Sequence, residues 1–99
     1  MYNSICKLVS ETVTYDSQGN RVAVPVKREV FCQSRGVWAS EYYAAAKTDL
    51  RPSVVLILSD DRDYNDEKVV EYDGKTYDVI RTYPRNGTIE LTLQARDKP

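Results

Sequence analysis

One stretch of this chain has the residue types and spacing of a metal site. Asp61, Asp63 and Asn65 fit the first half of a calcium loop, D-x-D-x-N, in which alternate side chains turn oxygens toward one cation. The fit stops there. The sixth position needs glycine for a sharp turn and holds Asp66; the twelfth needs a bidentate glutamate and holds Tyr72. Arg62 would repel a cation. The stretch reads as a solvated loop or a contact surface, and no metal or cofactor is expected. Histidine is absent from the sequence. That removes Ser-His-Asp and Cys-His nucleophiles, the commonest general base and the commonest zinc ligand. No P-loop or dinucleotide fingerprint occurs. The 15 acidic residues include many conceivable carboxylate pairs, but nothing sets two of them in a cleft, so no enzymatic activity is expected.

Cys6 and Cys32 are too few for a disulfide scaffold and lack zinc-site spacing. If the loop between the first two strands centres near Gly19, Cys6 falls opposite Cys32. The pair is then either redox-sensitive or, as a reducing compartment favours, two reduced core thiols.

The elements that must carry these residues fit one domain, 1–95, with a frayed tail over 96–99. A chain of 99 residues buries only about two-thirds of its unfolded surface, so the core is modest. Fourteen basic residues against 15 acidic ones argue against a strongly basic surface that grips nucleic acid. No apolar run approaches the roughly 18 residues of a membrane helix, and the first residues lack a signal-peptide pattern. Synthesis in the cytoplasm and no membrane contact are expected. Eight tyrosines against one phenylalanine suit half-buried sheet faces and contact surfaces.

The clearest order lies between Tyr64 and Leu93. Asp73-Gly74 separates the β-rich runs 68–72 and 75–80, and Asn86-Gly87 precedes Ile89–Leu93. Both dipeptides favour the positive φ angles of type I′ hairpin turns, so the region reads as a three-stranded meander. Simple alternation puts Ile80, Thr82, Ile89, Leu91 and Leu93 on the core face. It puts Tyr77, Val79, Arg81 and Tyr83 on the other, with Arg81 near enough to Glu90 to pair across strands. Residues 5–15 and 22–33 read as a long hairpin, with Pro25 at an edge or bulge. The helix candidate starts after a Ser40 cap, carries Glu41 in its first turn, and ends before Pro52. Trp38, Tyr42, Ala45 and Ala46 share a face that would dock on the sheet. Residues 53–58, SVVLIL, read as a central strand covered on both faces. The expected fold is mainly β: a small, antiparallel, partly closed β-barrel of about six strands with one short α-helix.

Several of these segments resemble, in order, the phage head-tail joining family of small head-closure, or stopper, proteins. They are Glu41-Tyr42-Tyr43-Ala44-Ala45-Ala46, Asp63-Tyr64-Asn65, Tyr72-Asp73-Gly74-Lys75-Thr76-Tyr77, Arg81-Thr82-Tyr83 and Ile89-Glu90-Leu91. The resemblance spans roughly residues 25–95 and rests on the order and spacing of the motifs. It implies a structural protein of the virion neck, made in the host cytoplasm, with no catalytic residue. Copies would form a ring below the portal and its adaptor and receive a tail terminator or tail protein. Double-stranded DNA would pass through without sequence-specific contacts. From exposure and turn chemistry, the expected assembly contacts are Asp63, Tyr64, Asn65, Tyr77, Arg81, Tyr83, Arg85 and Asn86, with the loop Ser17–Asn20.

Two rival readings remain from the sequence. One is another neck or tail protein, such as an adaptor or tail terminator. The other is a small OB-like nucleic-acid-binding module, hinted at by Arg81 between Tyr77 and Tyr83.

Overall fold

Turn chemistry sets the C-terminal half. At Asp73-Gly74 the φ angles are 53° and 77°, and at Asn86-Gly87 they are 46° and 90°. Both turns therefore take the left-handed conformation that matches the twist of paired strands. They join β4 (Val69–Tyr72), β5 (Lys75–Arg85) and β6 (Thr88–Ala95) into the expected meander. The computed structural model describes residues 3–96. Its other elements are β1 (Ser4–Tyr15), β2 (Arg21–Arg35), the helix α1 (Ala39–Ala46) and β3 (Val54–Leu58). The strands close into a six-stranded antiparallel barrel in the order β1-β2-β3-β6-β5-β4. Cys6–Val9 pair with Val69–Tyr72 to complete the ring of strands.

The expected phase of β5 holds for only half its length. Val79 pairs with Leu93 and Arg81 with Thr92, leaving Ile80 as an extra residue. Counted back from the Asn86-Gly87 turn, such a bulge reverses the face of the side chains that precede it. Tyr77 is therefore buried, and Val79 packs against the core, instead of pointing out. Ile80 is half-buried outside the core, and Thr82, on the side of Leu91, is exposed. Arg81 and Tyr83 do point outward.

The core is a column of side chains inside the barrel. Leu8, Leu56, Leu58, Leu91 and Leu93 are at most 1% exposed, each contributing about 1.5–3 kcal/mol on burial. Val55 and Leu56 are adjacent and both fully buried. Neighbouring strand residues face opposite ways, so β3 is covered on both faces at this point.

Cys6 and Cys32 are both buried, free thiols, but the predicted register is off by two. Cys6 lies opposite Val30, and Cys32 opposite Ser4. The loop 16–20 is centred on Gln18, because the Asp16 carboxylate accepts hydrogen bonds from the Gln18 and Asn20 N–H groups. An even offset keeps both thiols inside, as diagonal neighbours. The hydrogen bond with Cys32, then burial, pushes the Cys6 thiol above its ordinary value.

Two features depart further from expectation. First, α1 has no buried residue. Tyr42 is 40% and Trp38 58% exposed, so the helix does not dock through its aromatics; Ala45 and Ala46 are half-buried. Its cap is Trp38, whose N–H donates to the Glu41 carboxylate at 2.9 Å, and Ser40 lies inside the first turn. Second, β1 and β2 outrun the barrel. Every residue from Ser10 to Lys27 is exposed, although these residues pair in register up to Tyr15 and Arg21. This arm stretches the molecule to 51 × 30 × 23 Å with a radius of gyration of 15.0 Å, against about 13 Å for a compact chain of this length. At the other terminus the expected tail is in part ordered. Arg96 donates through its N–H to Thr76 and through its guanidinium to Asp78; residues 97–99 of that tail lie outside the described residues.

Candidate functional site

Three surfaces of the molecule carry its exposed or charged side chains in groups. The first is the arm. By alternation Thr12, Thr14, Val22, Val24 and Val26 share one of its faces, and Val13, Tyr15, Ala23 and Pro25 the other. Val13, Tyr15, Val22, Val24 and Val26 are between 38% and 69% exposed. Pro25 and Lys27 lie on β2, whose residues 21–31 have no partner on the side away from β1. They are the residue types that blunt a free edge.

The second surface is the β3–β4 loop, which folds over the barrel mouth. Glu67 holds it there. This carboxylate is buried and accepts from the Arg28 guanidinium at 2.7 Å and from the Asn65 N–H at 2.8 Å. Burial alone would raise its pKa, but Arg28 and the backbone donor outweigh that and hold it below the ordinary glutamate value. Arg28 also donates to the Asp63 carbonyl. Tyr64 donates its O–H to the Glu67 carbonyl at 2.6 Å and packs against the core. Burial, with the charges of Asp66 and Glu67, pushes its phenol up to about 12. Tyr64 is thus a half-buried plug, not the exposed contact expected. The metal-like pattern falls on a single 3-10 turn, Asp61–Asp63, in which Asp60 binds both the N–H and the guanidinium of Arg62. Among the described residues no group of three or more potential ligands gathers for a metal.

The third surface is a cleft of about 350 Å³ on the outer face of β5 and β6, under the start of α1. Its floor is an ion-pair chain. Arg35 forks onto Glu41 at 2.8 and 3.0 Å and reaches Glu90 at 2.9 Å, and Arg85 closes on Glu90 at 3.1 Å. Glu90 is 8% exposed. Its burial opposes ionisation, but the two arginines hold its pKa low; Glu41 is lowered first by Arg35. Arg35 is in turn held charged chiefly by Glu41. The expected Arg81–Glu90 pair does not form: the two-residue turn at Asn86-Gly87 sets Tyr83 opposite Glu90 and Arg81 opposite Thr92, and Glu90 is taken by Arg35 and Arg85. Two aromatics wall the cleft. Arg35 lies 4.1 Å from the Trp38 ring centroid and Arg85 5.4 Å from that of Tyr83, in cation–π range.

The expected contact residues therefore separate. Arg81, Tyr83 and Arg85 line the cleft, and Asn86 is exposed on the adjoining turn. That turn meets the β3–β4 loop through the Asp61 N–H, which donates to the Gly87 carbonyl at 2.8 Å. Asp63 is half-buried and Asn65 exposed on the loop, whereas Tyr77 belongs to the core. Sequence reasoning missed Arg28, Arg35, Glu41, Glu67 and Glu90 as organising residues. Glu90 had a visible signal: a carboxylate between Ile89 and Leu91 on a strand of apolar residues needs a cation when buried.

No protein-family model matches the chain, and comparison with curated proteins finds no match.

Proposed function

We propose that this chain is a head-closure subunit of the phage neck, one copy in a ring that joins a DNA-filled head to its tail. The observation that carries the reading is the arm. A two-stranded hairpin alone is marginal in water, yet this one runs from Ser10 to Lys27 with both faces exposed and with valines and a tyrosine among its side chains. Such an element fits a subunit that packs against neighbours. The order of the motifs from Glu41 to Leu91 points to the neck as the place of assembly. The partners in this reading are further copies in the ring, a portal or adaptor protein on the head side, and a tail terminator or tail protein on the other. A net charge of −1 suits a conduit for double-stranded DNA, since dense phosphate contacts would retain it.

The test is deletion of the chain from the virus that encodes it. Filled heads should accumulate, leak DNA and fail to join tails. Normal tailed particles would refute the assignment.

A further inference from the structure

Two surfaces of the barrel carry charges of opposite sign that lack an ion-pair partner among the described residues. In the cleft, Arg35 and Arg85 are matched by Glu41 and Glu90. Arg81 is the surplus. It is exposed, faces the cleft, and forms no ion pair among the described residues. Its field is felt, since it helps to lower the pKa of Glu41. The cleft is thus a preformed cationic recess between Trp38 and Tyr83, 58% and 50% exposed, with the residue types that dominate protein–protein anchors.

The second is the β3–β4 loop. Arg62 there is taken by Asp60, while Asp61, Asp63 and Asp66 have no ion-pair partner among the described residues. Asp66 is fully on display: it is exposed, with φ at 62°. It borders a hollow of about 530 Å³ shared with Val9, Ser10, Glu11 and Val69 at the root of the arm.

We infer that the Trp38–Arg81–Tyr83 cleft of one copy receives the acidic loop around Asp66 of a second copy. The two surfaces lie over different strand pairs. β5 adjoins β4 in the closed ring, and the loop meets the β5–β6 turn where the Asp61 N–H donates to Gly87, but Asp66 sits at the β4 end of that loop. The cleft lies over β5 and β6 and Asp66 borders β1 and β4, and within one chain no ion pair joins Arg81 to Asp66 among the described residues. Unlike surfaces of one subunit give a heterologous contact, which repeats from copy to copy. A carboxylate from the loop would supply the charge that Arg81 lacks, and the aromatic walls would exclude water from the pair. The biological setting rests on the neck-ring reading. The contact itself is a property of the purified protein.

The experiment is a charge swap read by sedimentation at low ionic strength. Wild-type full-length chain should self-associate as concentration rises. Arg81→Glu and Asp66→Lys should each weaken association by about tenfold or more, because each places like charges together. Mixing the two variants should restore a complex through the reversed pair. Lysine is less suited than aspartate to the positive φ of Asp66, so Asp66→Asn serves as the companion: it tolerates that backbone and should also weaken association. Thermal melts check that each variant is folded. No association of the wild type at about 1 mM would overturn the inference, as would association indifferent to both changes or a mixture that restores nothing. Binding of duplex DNA that Arg81→Glu abolishes would also overturn it and give the cleft to phosphate. A working swap alongside normal tailed particles from a deletion virus would keep this inference and sink the neck reading.

Discussion

At the scale of single residues, buried carboxylates do most to hold the functional surfaces in place, and Glu67 is the clearest case. Its two partners, Arg28 and the Asn65 N–H, tie the acidic loop to β2. Glu67→Gln keeps the shape and removes the charge, so it should cost about 2 kcal/mol, the range for a hydrogen bond to a charged group. The folded-state pKa of Glu67 lies below the ordinary glutamate value of 4.5. The charged form is therefore favoured by folding. Its stabilisation is present in full above about pH 4.5 and fades as pH falls through the lower, folded value. Urea midpoints of the wild type and of Glu67→Gln should differ at pH 7 and converge toward pH 3. A gap that stays constant down to pH 3 would contradict an ionised, Arg28-paired Glu67. The same direction holds for Glu41 and Glu90, so acid should also loosen the floor of the cleft.

At the scale of elements, the contrast between arm and barrel predicts hydrogen exchange. Amides of the arm between Glu11 and Val26 have no second layer over either face, whereas Leu56, Leu58, Leu91 and Leu93 sit in the central ladder. Arm amides should exchange through local opening, and barrel amides only near the global unfolding limit. Equal protection would mean that the arm is packed in solution. The same contrast shows what was legible in the sequence. The meander was, because Asp73-Gly74 and Asn86-Gly87 state their own turn type. The bulge was not: Ile80 looks like any strand residue, and only its lack of a partner between Leu93 and Thr92 reverses the face of Tyr77. The arm has the sequence of an ordinary hairpin, since Val22, Val24 and Val26 alternate as core residues do. What exposes them is the reach of other strands, because β4 pairs with β1 only up to Val9. The helix had an apolar face on paper, but its anchor is the polar residue Glu41. Cleft residues Arg81, Tyr83 and Arg85 were picked out from a linear run; their neighbours Arg35, Trp38 and Glu90 come from β2, its exit and β6, which no local pattern links.

At the scale of the whole molecule, barrel and arm are two bodies in one chain, and they should be separable. Barrel closure uses Ser4–Val9 of β1 and the far half of β2. Ser10 and Val26 lie directly opposite each other, so a two-residue Asn-Gly turn can join them in the same register. Replacing residues 11–25 in this way removes only exposed side chains. Small-angle scattering should then show the radius of gyration falling from 15.0 Å to about 12 Å, the value for a compact chain of the shortened length. The melting temperature should move by only a few degrees, because none of residues 11–25 belongs to the core cluster. A shortened chain that no longer folds would mean that the arm supports the barrel. A wild-type monomer already at about 13 Å would mean that the arm lies folded against the barrel in solution. If the arm is free as described, the shortened chain keeps its barrel and its cleft and loses Val13, Val22 and Val24, with only Val26 left beside the new turn. It also keeps Asp66 but loses Glu11 and Pro25 from the hollow beside it.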